Sequence, residues 1–150
     1  MMGAGFRSGE FQSALWRWGP VILWVGVISG LSTDAFSAAE TGRLLMPLLR
    51  WLFPGASPAT IDLLHAVVRK GAHVTEFAIL ALLWYRALDW RGSGWQTKAA
   101  LTAFVLAAGF GALDEGHQMF VPSRTASLVD VGWDSLGAAL GLVARHAIRL

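Results

Sequence analysis

Two stretches of this chain are apolar and uncharged over lengths that few water-soluble folds tolerate. Trp18 to Thr33 carries no charged residue, and neither does Ala99 to Leu113. A helix that crosses a bilayer needs roughly 20 mainly apolar residues, and Ala14 to Thr33 supplies them. A second apolar stretch, Ala72 to Leu88, is interrupted by Glu76, and a further one, Leu128 to Ala144, contains Asp130 and Asp134. Charged residues are only 15% of the 150-residue chain and hydrophobic ones 55%, against about 25% charged in soluble domains. Too few polar groups are left to cover a soluble surface. The expected fold is therefore all-α: a multi-pass membrane bundle of about four transmembrane helices, plus a short interfacial amphipathic helix.

The expected spans are residues about 14–33, 70–89, 98–118 and 128–147, with residues 1–13 as a flexible polar lead. A cleaved signal peptide is the competing reading of the first span, and the continuing hydrophobicity downstream favours a retained helix. Between the first two spans, Ser32-Thr33-Asp34 and Pro54-Gly55-Ala56-Ser57-Pro58 read as caps and breakers. Leu44, Leu45, Leu48, Leu49 and Leu52 recur between them at helical spacing, with Arg43 and Arg50 interspersed. That pattern predicts an amphipathic helix over about 38–53, lying at the interface or covering the bundle. Eight Trp against one Tyr fit a chain with membrane boundaries, where Trp concentrates. Cys is absent, which excludes disulfides and thiolate metal sites. The basic residues are scattered, so nucleic acid is not an expected partner.

Orientation follows from Lys and Arg. With the N-terminus inside, the inner set is Arg7, Arg17, Arg86, Arg91, Lys98, Arg145 and Arg149. The outer set is Arg43, Arg50, Arg69, Lys70 and Arg124, so seven stand against five. Both termini are expected on the inner, cytoplasmic side of the membrane, with the bilayer as the chain's first partner.

Under that topology three polar segments meet at the outer boundary. His73 and Glu76 are three residues apart and Lys70 continues their row, while Asp114 has His117 three and Gln118 four residues on. Glu115 sits beside them, and Asp130 and Asp134 are one turn apart. Ionised groups inside hydrocarbon cost at least roughly 2.5–3.5 kcal/mol, so Glu76 and Asp134 need partners or water. Three readings stay open. His73, Glu76, Asp114 and His117 are candidates for acid–base chemistry, with a carboxylate orienting a His. Two His and two carboxylates also suit a divalent metal, the lesser reading; no cofactor is expected. The third is an interhelical polar network, structural or ligand-binding. Lys70, Arg69 and Arg124, near Ser123, Thr125 and Ser127, suit an anion, although salt bridges to Asp114, Glu115, Asp130 and Asp134 would neutralise them equally well. Glu115, Gln118, Ser127, Asp130 and Asp134 complete the candidate ligand-binding set with Lys70 and Arg124. Pro122 shapes the turn between the last two spans. Gly137 and Gly141 form a small-residue face for close helix packing.

These residues form a pattern. Arg69-Lys70-x-x-His73-x-x-Glu76-Phe77-Ala78-Ile79-Leu80 is followed by Asp114-Glu115-x-His117-Gln118-x-Phe120-Val121-Pro122-x-Arg124-x-x-Ser127-x-x-Asp130, then by Asp134-x-x-Gly137. In order, spacing and residue type this resembles the VanZ-like family of small bacterial membrane proteins, from Ser32-Thr33 to Gly141. Val74-Thr75 and Trp133 depart from the family's usual residues without touching a charged position. The resemblance implies several membrane helices and, through the founding member, an association with low-level resistance to the glycopeptide teicoplanin. It implies no particular reaction. The expected ligand is a lipid-linked cell-wall component or another anionic amphiphile in an outward-facing pocket. The alternative is a membrane-embedded hydrolase or transferase using a His/carboxylate pair.

Overall fold

The structure is a computed structural model that describes residues 4–92, 94–121 and 127–148, with side chains from residue 10 onward. Among these residues every regular element is a helix. Helix α1 runs Ala4–Leu31, and a 3-10 turn follows at Asp34–Phe36. Helices α2 (Ala38–Leu52), α3 (Pro58–Leu88), α4 (Thr97–Gln118) and α5 (Leu128–Ile148) complete the chain.

Two starts differ from the sequence expectation. Helix α1 begins at Ala4 rather than near residue 14, so the segment expected as a lead is helical from there on. Helix α3 begins at Pro58 rather than near residue 70. Pro54 to Pro58 contains a stop and a start: the Ser57 hydroxyl accepts the Thr60 N–H at 3.2 Å, and Pro58 follows at the first helical position. Proline suits that position because its missing N–H would have no helical partner anyway. At 31 residues and 1.5 Å per residue, α3 is about 46 Å long. A hydrocarbon layer is about 30 Å thick, so α3 has length to spare, and α2 packs against it.

Helix α3 touches every other helix. Its buried face presents Phe77, Leu80, Ala81, Tyr85 and Ala87. Helix α4 answers with Ala100, Ala103, Ala107 and Gly111, and α5 with Gly137, Ala138, Gly141 and Leu142. Small residues at three- and four-residue spacing let backbones approach closely. At Gly141 an added Cβ would lie 2.7 Å from the Ala78 carbonyl oxygen, so α3 and α5 meet backbone to backbone. Many large apolar side chains point outward. Ile22, Leu23, Leu101, Val105, Leu113, Val129, Leu140 and Val143 are all exposed. Water-soluble monomers rarely expose apolar patches beyond a few hundred Å². Small residues at the helix contacts with many large apolar ones on the outer surface is the distribution expected when the outer solvent is lipid.

Glu10–Leu31 and Thr97–Gln118 are long and apolar enough to cross a membrane, and only 11% and 33% of their apolar windows are buried within the molecule. A core helix of a soluble protein would be mostly buried.

Tyr85 closes the end of the bundle where α3 turns into α4. Its hydroxyl accepts the Gln96 N–H at 3.0 Å and lies 3.2 Å from the Gly94 carbonyl, and its ring stacks on Trp95. Tyr85→Phe keeps the ring but leaves the Gln96 N–H and Gly94 carbonyl without this partner. It should cost about 1 kcal/mol, visible as a lower melting temperature in detergent while the helical circular-dichroism signal is unchanged.

Candidate functional site

The polar residues gather where α3, α4 and α5 meet the end of α1, and they pair between helices. Asp134 on α5 is fully buried, and its Oδ1 lies 3.1 Å from Nδ1 of His73 on α3. One turn earlier on both helices, Lys70 forms an ion pair with Asp130. The two pairs form a ladder because residues 70 and 73 of α3 share a face, as do 130 and 134 of α5. Gly111 on α4 stands opposite. A Cβ there would come within 3.1 Å of Asp134 Oδ2 and of the Phe77 ring, so the missing side chain makes room for the carboxylate.

A second group ties α1 to α4. The buried Ser32 hydroxyl donates to Asp114 Oδ2 at 2.6 Å, and Gln118 donates to the same oxygen at 2.9 Å. Glu115 on the next position accepts the Ser127 N–H at 2.8 Å through Oε2. Ser127 in turn caps α5, its hydroxyl accepting the Val129 N–H at 3.2 Å. Two buried carboxylate oxygens, Glu115 Oε1 and Asp134 Oδ2, have no hydrogen-bond partner among the described residues. Unpaired buried acceptors are costly, and both of these carboxylate oxygens lie in the polar cluster.

A cavity of about 170 Å³ opens beside this cluster, between the end of α1, the 3-10 turn, α2 and α3. Ser32, Thr41, Arg69, His73 and Glu76 give it a polar wall, and Phe36, Leu45 and Val68 an apolar one. Arg69 donates to Thr41 Oγ1 at 3.1 Å and to the Phe36 carbonyl at 3.4 Å, fixing the turn and α2 over the cavity. Trp24 of α1 donates its indole N–H to the Glu76 carbonyl at 2.9 Å, pinning α1 to α3 beside it. His73 therefore lines the cavity with its Nδ1 held by Asp134.

The residues singled out from sequence are thus distributed as follows. His73 and Glu76 line the cavity; Asp134 stands behind His73; Lys70 pairs with Asp130 at its flank. Asp114, Glu115 and Gln118 are buried and bind Ser32 and Ser127, not the cavity. His117 is exposed and forms no hydrogen bond to Asp114. Pro122, Ser123, Arg124, Thr125 and Arg149 lie outside the described residues. Among the described residues no three His, Asp or Glu side chains converge as metal ligands. Ser32, Thr41, Trp24 and Gly111 were not among the candidate site residues. Only Gly111 carried a signal, as the last member of the Ala100-Ala103-Ala107 series, one turn before Asp114.

The VanZ/LLP1 family profile matches residues 19–149, nearly the whole chain and every element of this site. The chain belongs to the VanZ/LLP1 family. Comparison with the curated proteins and with the solved structures gave no match. Family membership, with two apolar helices of spanning length whose surfaces lie largely outside the core, marks a membrane protein. The match runs from α1 to the end of α5, so the His73–Asp134 pair, the Ser32–Asp114 bond and the cavity belong to the VanZ/LLP1 unit and not to an appendage.

Proposed function

We propose that this VanZ/LLP1 member spans the bacterial cell membrane four times, through α1, α3, α4 and α5, with both termini in the cytoplasm. In that arrangement the His73 cavity opens at the outer boundary and α2 lies in the interface above it. The cavity holds the head of an anionic amphiphile, such as a lipid-linked cell-wall component. The observation that carries this reading is the cavity itself: Arg69 and His73 beside Glu76 on one wall, apolar side chains on the other, under an amphipathic helix. Leu44, Leu48, Trp51 and Leu52 of α2 are exposed, a face suited to acyl chains. The family's association with teicoplanin resistance is consistent with a ligand on the outer side, where that antibiotic acts.

The absence of Cys makes orientation simple to measure. Gly55 and Gly94 sit in the turns before α3 and before α4, and neither has an atom within 4 Å of an added Cβ. Gly55→Cys should react with a membrane-impermeant maleimide in intact cells, whereas Gly94→Cys should react only after lysis. A photoreactive residue in place of Leu45, in the cavity wall, should crosslink lipid or cell-wall precursor. Crosslinks to protein alone would count against the ligand.

One observation favours a second reading. The Asp134 carboxylate on Nδ1 of His73 is the arrangement that orients an imidazole for proton transfer at Nε2. A hydrolase or transferase would then show turnover of the crosslinked amphiphile that disappears in His73→Gln; a binding factor would show none in either chain.

A further inference from the structure

At the opposite end of the bundle, about 500 Å³ of space lies between the first half of α1 and the turn that ends α3. Its walls are formed by Ser13, Arg17, Trp18, Asp89, Trp90 and Arg91. That volume falls within the roughly 300–1,000 Å³ of small-molecule pockets. Two guanidinium groups face one carboxylate, so the basin carries a net positive charge. Arg17 is held in place from below, its Nε donating to the Ala87 carbonyl at 2.6 Å and its guanidinium lying 4.8 Å from the centre of the Trp18 ring. Arg86 fixes the other wall: it stacks 4.5 Å from the Trp90 ring and donates to the Trp16 carbonyl across to α1 at 3.1 Å. The basin is therefore preorganised on two sides, with Arg91 exposed at its mouth.

Its surroundings indicate what it meets. Trp16, Trp18, Trp84, Trp90 and Trp95 all belong to this end, as do Arg17, Arg86, Arg91, Lys98 and Arg145. Trp collects at the level of lipid headgroups, and a basic pocket between membrane helices at that level suits an anionic headgroup. Guanidinium pairs hold phosphate oxygens through charge-assisted hydrogen bonds, and Leu88 with the apolar parts of Trp18 and Trp90 in the wall suit the glycerol and upper acyl carbons.

We propose that this basin binds the phosphate of an anionic phospholipid headgroup, as a second site separate from the His73 cavity. The site depends on the membrane reading but not on the orientation of the chain or on the ligand of the outer cavity.

The test uses the purified full-length chain, stripped of lipid in a neutral detergent and followed by native mass spectrometry. Phosphatidylglycerol should bind roughly tenfold or more tightly than phosphatidylcholine. Arg91→Gln should remove part of that preference, and Arg17→Gln with Arg91→Gln nearly all of it. Arg43→Gln with Arg50→Gln, at the other end of the molecule on α2, should leave it intact. Arg91 is exposed and on a turn, so its variant carries the test even where Arg17→Gln impairs folding. Millimolar inorganic phosphate separates the two sources of the group. Failure to displace the lipid supports a headgroup site, and displacement with the same dependence on Arg17 and Arg91 supports a phosphate site filled from solution. Equal binding of the two lipids, or a phosphatidylglycerol preference unchanged in Arg91→Gln and in the double variant, overturns the proposal.

Discussion

His73→Ala should be among the most damaging single substitutions that leave the backbone packing untouched, at about 3–5 kcal/mol. Asp134 is fully buried, its Oδ2 has no hydrogen-bond partner among the described residues, and His73 is the partner of Oδ1. Removing the imidazole leaves a buried carboxyl group with neither oxygen hydrogen-bonded among the described residues. The asymmetry of buried pairs sharpens the prediction. Breaking one by deleting a single partner costs more than replacing both, because only the first leaves an orphaned polar group. The double variant His73→Leu with Asp134→Ala should therefore melt above His73→Ala, although it has lost more atoms. Melting in detergent, monitored by the monodisperse peak on size exclusion, checks both. A His73→Ala chain that melts with the parent would mean that water already satisfies Asp134, and the cluster would then be an aqueous cavity and not a dry interhelical pair.

The residues of this cluster are legible in the sequence but their pairing is not, and the reason is geometric. Spacing of three or four reports which side chains share a stripe on one helix; it says nothing about the helix opposite. On that basis His73 pairs with Glu76 and Asp114 with His117. In the fold His73 meets Asp134, 61 positions away, and Asp114 meets Ser32, 82 away. His117 falls off the face that Asp114, Glu115 and Gln118 share, at 100° per residue, and ends exposed. The expected topology brings the segments to one side of the membrane without saying which atoms touch. The start of α3 went unread for a different reason. Pro54 and Pro58 look alike as breakers, but Ser57 before Pro58 is a cap followed by a permitted proline, and the twelve residues after it are too polar to look like a span. The small-residue stripe was legible, since Gly137 and Gly141 stand at a spacing that has no other obvious use.

That stripe carries the other large expected effect. Gly137 lies against Val74 so closely that any Cβ would overlap its carbonyl oxygen and come within 2.8 Å of its Cα; Gly141 lies against Ala78 in the same way. Both neighbours are backbone of α3, which has no rotamer to offer. Gly137→Val must therefore push α5 off α3, and the displacement falls on the residues just before it. Asp134 is one turn away on the same face and Asp130 one turn further, so the shift withdraws both acids from His73 and Lys70. The expected cost is about 3 kcal/mol or more from overpacking alone, added to the lost pairs, and the chain should be missing from the membrane fraction or aggregated on extraction. Gly132 supplies the control. It stands on the same helix with nothing within 4 Å of an added Cβ, so Gly132→Ala should be neutral or stabilising by up to about 1 kcal/mol, because alanine favours a helix where glycine does not. If Gly137→Val accumulates and melts like Gly132→Ala, α3 and α5 are not in backbone contact, and the ladder of Lys70–Asp130 and His73–Asp134 built on that contact falls with it.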